Sequence, residues 1–235
     1  MIKIAWNENY CHPLPEGHRF PMIKYELIPE QLLYEGTIQQ ENLFSPSPAT
    51  EQQILTTHYK SYWDKLNYGN LESQEIRRIG FPYSKALVER ECIITGGTIE
   101  CTQYAQTYGV ALNVAGGTHH AFADRGEGFC LLNDMAIATH QLLKSGEFSK
   151  ILIVDLDVHQ GNGTASIFKD NANVFTFSMH GKKNYPMHKE ISDLDIELED
   201  GTDDKAYLKI LTETMPRLMD EVQPDFMFYL SGVDV

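Results

Sequence analysis

A run of aliphatic residues leads into two carboxylates and an imidazole in Ile151-Leu152-Ile153-Val154-Asp155-Leu156-Asp157-Val158-His159. The stretch from Lys150 to Leu156 reads as a buried strand, and open α/β sheets place their ligands outside the carboxyl ends of such strands. Asp155, Asp157 and His159 alternate at period two, so they share one face while Leu156 and Val158 take the other. Carboxylates withdrawn from water need a cation, a basic partner or exposure at the strand end. A cation is the simplest of the three.

Asp234 follows the apolar run Phe226 to Leu230 and a Ser231-Gly232 turn, which brings it to the same end of a parallel sheet. Asp157, His159 and Asp234 then form an N/O ligand set with one position left open, the pattern of a catalytic rather than a structural zinc. Gly116-Gly117-Thr118-His119-His120-Ala121 comes directly after the run Val110 to Val114 and sets two adjacent histidines in a loop at a carboxyl edge. The turn Gly126-Glu127-Gly128-Phe129-Cys130 offers Gly128 and Phe129 as lining for a narrow apolar slot, and Asn133 and Asp134 read as a helix cap.

These residues must be carried by alternating strands and helices. Strands are expected at Ile2–Trp6, Val110–Val114, Lys150–Leu156, Val174–Ser178 and Phe226–Leu230. Helices are expected over Phe20–Tyr34, interrupted at Pro29, from Thr50 to about His58, over Ala86–Tyr108, Asn133–Leu143 and Gly163–Phe168, and over Thr202–Val222, crossed by Pro216. Gly96-Gly97 inside the long helix implies close backbone packing. The βαβ rhythm predicts an α/β fold: a three-layer sandwich around a mostly parallel central sheet.

With 235 residues, the chain suits a single domain, 1–235, and its 42% hydrophobic and 22% charged content is that of a globular protein. A formal charge of −14 argues against a partner bound through its phosphates, so no nucleic acid is expected. No apolar run approaches the roughly 18 residues of a membrane span, and Met1–Trp6 lacks the apolar core of a secretory leader. Cys11, Cys92, Cys101 and Cys130 have neither metal-site nor disulfide-scaffold spacing, so a cytoplasmic protein is expected.

The ordered series HPxxxxH (His12 to His18), GGTHHA, GEGFCLLND, DLDVHQGNGT, FSMH and SGVD resembles the histone deacetylases from His12 to Asp234. Arg78 to Pro82 with Leu87 to Arg90 resembles the class IV and bacterial branch. The resemblance implies an arginase/deacetylase-like fold and a zinc-dependent amidohydrolase that removes acetyl or other acyl groups from lysine side chains. It makes Asp157, His159 and Asp234 the zinc ligands, His119 and His120 the proton-handling pair, and Asp155 and Asn162 their orienting partners. Asn162 stands where some members have Asp, so its bond to His120 would be neutral. Gly128, Phe129 and Tyr185 become walls of an acyl-lysine tunnel, and Arg19 matches an arginine below the active site. Potassium is implied on carbonyls of Asp155, Asp157 and His159 with Ser178 and Met179.

The family continues past its third ligand into a glycine-rich loop bearing a tyrosine that stabilises the oxyanion. The resemblance therefore implies that the C-terminal part of the domain is missing beyond Val235. Loss of one oxyanion donor would cost about 10²-fold in rate. Three other readings stand beside acyl-lysine hydrolysis: deacetylation of a small amine such as an acetylated polyamine, a two-metal ureohydrolase of the arginase type, and an acyl-lysine binder without turnover.

Overall fold

A computed structural model describes residues 1–232, and the predicted ligand Asp234 lies outside the described residues. The chain forms two compact units, Met1–Gln141 and Leu142–Val235. In chain order the elements are β1 (Lys3–Ala5), α1 (Lys24–Tyr34), β2 (Leu43–Phe44), α2 (Glu51–Ile54), α3 (Lys60–Tyr68), α4 (Ser73–Ile79), α5 (Lys85–Tyr108), β3 (Ala111–Asn113), α6 (Asp134–Ser145), β4 (Ile151–Asp155), α7 (Asn162–Phe168), β5 (Val174–Gly181), β6 (Leu194–Leu198), α8 (Asp204–Val222) and β7 (Phe226–Leu230). Every strand pairing is parallel, as the βαβ rhythm predicts.

In the first unit β1 lies between β2 and β3. Of the two glycines flagged in the sequence, Gly97 lets helix α5 pack on this small sheet and Gly96 lets it meet the loop at Ser47. A Cβ on Gly96 would lie 1.8 Å from the Ser47 carbonyl oxygen, and one on Gly97 would lie 2.7 Å from Tyr10 Oη. Arg90 and Glu91, adjacent and buried on the same helix, pair with each other, and Arg90 Nε also donates to the Tyr10 carbonyl at 2.7 Å. Thr50 caps α2 in a reciprocal box with Gln53, as expected, but the helix is one turn long and turns carry the chain to His58. Pro29 does not divide α1, which runs unbroken from Lys24 to Tyr34. It stands in the second turn, where its missing N–H removes a single bond near the helix start.

In the second unit the order is β6-β5-β4-β7. Leu152, Val154 and Leu156 of β4 and its exit share a buried cluster with Phe177 and Met179 of β5 and Leu218 and Val222 of α8. Tyr207, Ile210, Leu211 and Met215 add to it from α8 at three- and four-residue spacing, so one helix face covers one sheet face. Asp203 caps that helix by accepting the Ala206 N–H at 2.8 Å. The alternation read from the sequence holds: Leu156 joins the apolar face, and Asp155 belongs to the opposite one.

The described strands form two sheets, where the sequence suggested one. Helices α3 and α4 and strands β2 and β6 have no counterpart among the expected elements. No helix among the described residues is long and apolar enough to cross a membrane.

Candidate active site

The second unit gathers its candidate residues at and just after the carboxyl end of β4, between β5 and β7. Asp155 closes β4, in register with Ser178 of β5 on one side and Leu230 of β7 on the other. Its side chain is buried, and Oδ1 accepts the Asp157 N–H at 3.1 Å, which fixes the first bend after the strand. Asp157 Oδ1 in turn accepts the His159 N–H at 2.8 Å and lies 2.9 Å from His159 Nδ1. The period-two alternation thus continues into a chain of carboxylate-to-backbone bonds, although the strand itself has ended. The turn after β7 lies directly on this pair: a Cβ on Gly232 would come 2.4 Å from Asp157 Cα and 2.6 Å from Asp157 Oδ2. Only glycine lets the backbone approach so closely.

A carboxylate and an imidazole held side by side are donor types that a divalent metal such as zinc takes, and among the described residues no third His, Cys, Asp or Glu joins them in a metal-sized group. Ser178, also buried, has Oγ 2.9 Å from His180 Nδ1. The Met179 side chain belongs to the apolar cluster under α8. Tyr185 stands beside His159, its ring meeting the imidazole edge-on at 6.2 Å between centroids. Asn162, the first residue of α7, is buried.

The first unit carries the histidine pair. His119 and His120 are both buried, and their rings lie 4.0 Å apart between centroids. Asp134 holds the loop that presents them. Its Oδ1 accepts the Thr118 N–H at 2.8 Å and the Thr118 hydroxyl at 2.6 Å, and the carboxylate also takes the Gly117 N–H at 3.1 Å and the Thr98 hydroxyl. Reading this residue as a helix cap was incomplete. Asn133 does the capping, with Oδ1 accepting the Ala136 N–H at 3.0 Å, while Asp134 organises the loop before the histidines. Asn133 also donates to the Ala121 carbonyl at 3.1 Å, just beyond His120, and its own N–H donates to His58 Nε2 at 3.0 Å.

The slot residues are built on the same unit. Gly128 and Phe129 both have left-handed backbone, φ 55° and 66°, and their N–H groups donate to the carbonyls of Arg78 and Ile79 at 3.2 and 2.7 Å. Those carbonyls close α4. Phe129 is wedged among His18, Phe20 and Phe81 at centroid distances of 5.1–6.0 Å, with the Arg19 guanidinium 4.8 Å from its ring centroid. Gly80 makes room for the ring, because a Cβ there would lie 2.8 Å from Phe129 Cε1.

Sequence reasoning assigned no role to His58, Gln160 or His180. His180 stands in the FSMH motif, and its position two residues from Ser178 on one strand could have marked it. His58 carried no such signal, since its partner lies 75 residues away.

A histone deacetylase domain model matches residues 18–235. An uncharacterized protein of Picosynechococcus is 46% identical over 98% of this chain and 77% of its own length. Histone deacetylase 2 of Arabidopsis thaliana is 28% identical over 93% of this chain, which spans 59% of that relative. The crystal structure of an HDAC homolog from Aquifex aeolicus superposes with a TM-score of 0.83 at 25% identity, covering 97% of this chain and 67% of that one. The same values describe an HDAC homolog complexed with SAHA. The chain belongs to the histone deacetylase family, and its α/β fold of parallel sheets is the fold of that family's solved members.

Proposed function

We propose that this chain is the greater part of a zinc-dependent deacylase that cleaves the amide bond of acylated lysine side chains in proteins or peptides. Family membership supports a deacetylase, and the observation that carries the finer reading is the Asp155–Asp157–His159 arrangement, with Gly232 packed directly on Asp157. Asp157, His159 and Asp234 hold the zinc, which when bound polarises the amide carbonyl and acidifies water. His119 and His120 take a proton from the attacking water and return one to the leaving amine. Their burial excludes bulk water from that exchange, and Asp134 fixes the loop that aims them. In this reading the two units form one catalytic domain, with Asn162 orienting His120 and Asp155 supporting the ligand turn. Gly128, Phe129 and Tyr185 are the residues proposed to line the acyl channel, and the carbonyls of Asp155, Asp157, His159 and Met179 with Ser178 would hold a potassium ion. The SAHA complex of the HDAC homolog supports a channel of this kind.

Peptides are favoured over small amines by the segment beside Tyr185. It exposes Met187 and Ile191, 80% and 76% accessible, which offer apolar contact to residues flanking an acylated lysine. All four cysteines are free, which suits a reducing cytoplasm.

The test is a substrate panel on the full-length protein carrying this sequence, with metal content measured alongside. Acetate release from acetyl-lysine peptides, faster than from acetylated polyamines and with one zinc per chain, is expected. Preference for the polyamines would select the small-amine reading, and two metals per chain would select the ureohydrolase. Binding of acyl-lysine peptide without product would select the non-catalytic binder.

A further inference from the structure

The segment that presents Tyr185 to His159 is fastened at both of its ends. On one side, the Gln160 side chain pairs with the whole peptide of Glu190: Nε2 donates to the Glu190 carbonyl at 2.8 Å, and Oε1 accepts the Glu190 N–H at 2.8 Å. Gln160 Nε2 also donates to Asp195 Oδ1 at 2.9 Å, and Asp195 Oδ2 accepts the Ser192 N–H at 2.8 Å. Gln160 is buried and directly follows His159, so residues 190–192 are tied to the ligand turn itself.

On the other side, Lys189 reaches back over the loop. Its Nζ donates to the Asn184 carbonyl at 2.6 Å and to the Pro186 carbonyl at 2.7 Å. Those two carbonyls flank Tyr185. The contacts close a ring: His159 to Gln160 through the chain, Gln160 to Glu190, Lys189 to the peptides on either side of Tyr185, and the Tyr185 ring back to His159. Among the described residues the ammonium donates its hydrogen bonds to these two carbonyls, so the clamp acts on the loop backbone. Tyr185 is 37% and Met187 80% exposed, so side-chain packing alone holds this stretch weakly.

We propose that Lys189 is a positioning residue: by bridging the Asn184 and Pro186 carbonyls it fixes Tyr185 as a rigid wall beside His159 and thereby sets which acyl group the site accepts. This rests on the deacylase reading for its consequence, but not for its geometry. A fixed wall admits a short acyl chain and rejects a longer one, whereas a loosened wall accepts both.

The experiment compares Lys189→Met, Lys189→Arg and Tyr185→Ala in the full-length protein, by amide hydrogen exchange over residues 182–190 and by kinetics on one peptide carrying an acetyl, butyryl or octanoyl lysine. Lys189→Met should speed exchange in that segment at least severalfold and reduce the acetyl-over-octanoyl ratio of kcat/KM by about 10-fold, through KM rather than kcat. Lys189→Arg, which keeps donors on a long stem, should restore most of both. Adding Lys189→Met to Tyr185→Ala should change the ratio little further, because the two act as a unit. Unchanged exchange in Lys189→Met would overturn the clamp, and faster exchange with an unchanged acyl ratio would overturn its role in selectivity. If the wild-type protein hydrolyses none of the peptides, the deacylase reading falls and selectivity with it, while exchange still decides whether the clamp exists.

Discussion

Asp134 shows how much one buried carboxylate can organise. Its acceptor sites are filled by two backbone N–H groups and one hydroxyl of the turn before His119 and His120 and by the Thr98 hydroxyl of α5. Asp134→Ala would leave the Gly117 and Thr118 N–H groups unpaired in the interior, a loss of about 3 kcal/mol. Thermal melting should show that loss, and the surviving folded protein should turn over at least about 10-fold more slowly because the histidines lose their aim. His58 gives a pH signature at the same scale. Burial pushes its pKa from 6.5 down to about 4, so the unfolded chain takes up this proton first as pH falls. The contribution of neutral His58 to stability is therefore complete above pH 6.5 and is lost as pH falls toward 4, a difference of about 3 kcal/mol. Between pH 7 and 5, denaturant melts of the wild type should lose stability more steeply than those of His58→Gln. Parallel slopes would remove His58 from the account.

At the scale of elements, backbone contact decides what can be placed where. Gly232 and Gly96 each sit where a side chain would displace a neighbouring backbone. Gly232→Ala should push the turn after β7 off Asp157 and weaken zinc retention at least about 10-fold, measured by competition with a chelator, with little effect on the cluster beneath α8. Leu218→Ala should do the reverse, costing about 2–4 kcal/mol in denaturant unfolding through the cavity it leaves while metal affinity stays near that of the wild type. The strongly patterned elements were legible in the sequence: β4, β5 and β7 as apolar runs, α5 and α8 as long helices, and the ligand turn through its alternation. Helices α3 and α4 were not, although Tyr62, Trp63 and Leu66 stand at helical spacing in α3, because nine and seven residues are too short for the period to stand out. Their importance comes from the tertiary fold: the end of α4 supplies the carbonyls that hold Gly128 and Phe129 in left-handed backbone. Strand β6 was hidden for a related reason, since Asp195 and Glu197 break its apolar run and one of them serves Gln160.

For the whole molecule, the proposed chemistry draws on residues spread across almost the entire chain. His18 and Phe20 support Phe129 from near the amino end, His119 and His120 lie at the middle, and Asp157 and His159 with Asp234 lie toward the carboxyl end. The ordered motifs made this site legible as a family pattern, but the supports were not, because His58, Asp134 and Lys189 act through backbone groups that no motif records. The central claim is that the Asp157–His159 turn and the His119–His120 loop serve one hydrolytic reaction. The most direct test is zinc-dependent acetate release from an acetyl-lysine peptide by the full-length protein, compared with Asp157→Ala and His120→Ala after confirming that each variant is folded. The account predicts loss of bound zinc and of turnover in Asp157→Ala, and zinc retained with turnover reduced by about 10²-fold or more in His120→Ala. Turnover that survives Asp157→Ala, or that is untouched by His120→Ala, would contradict it.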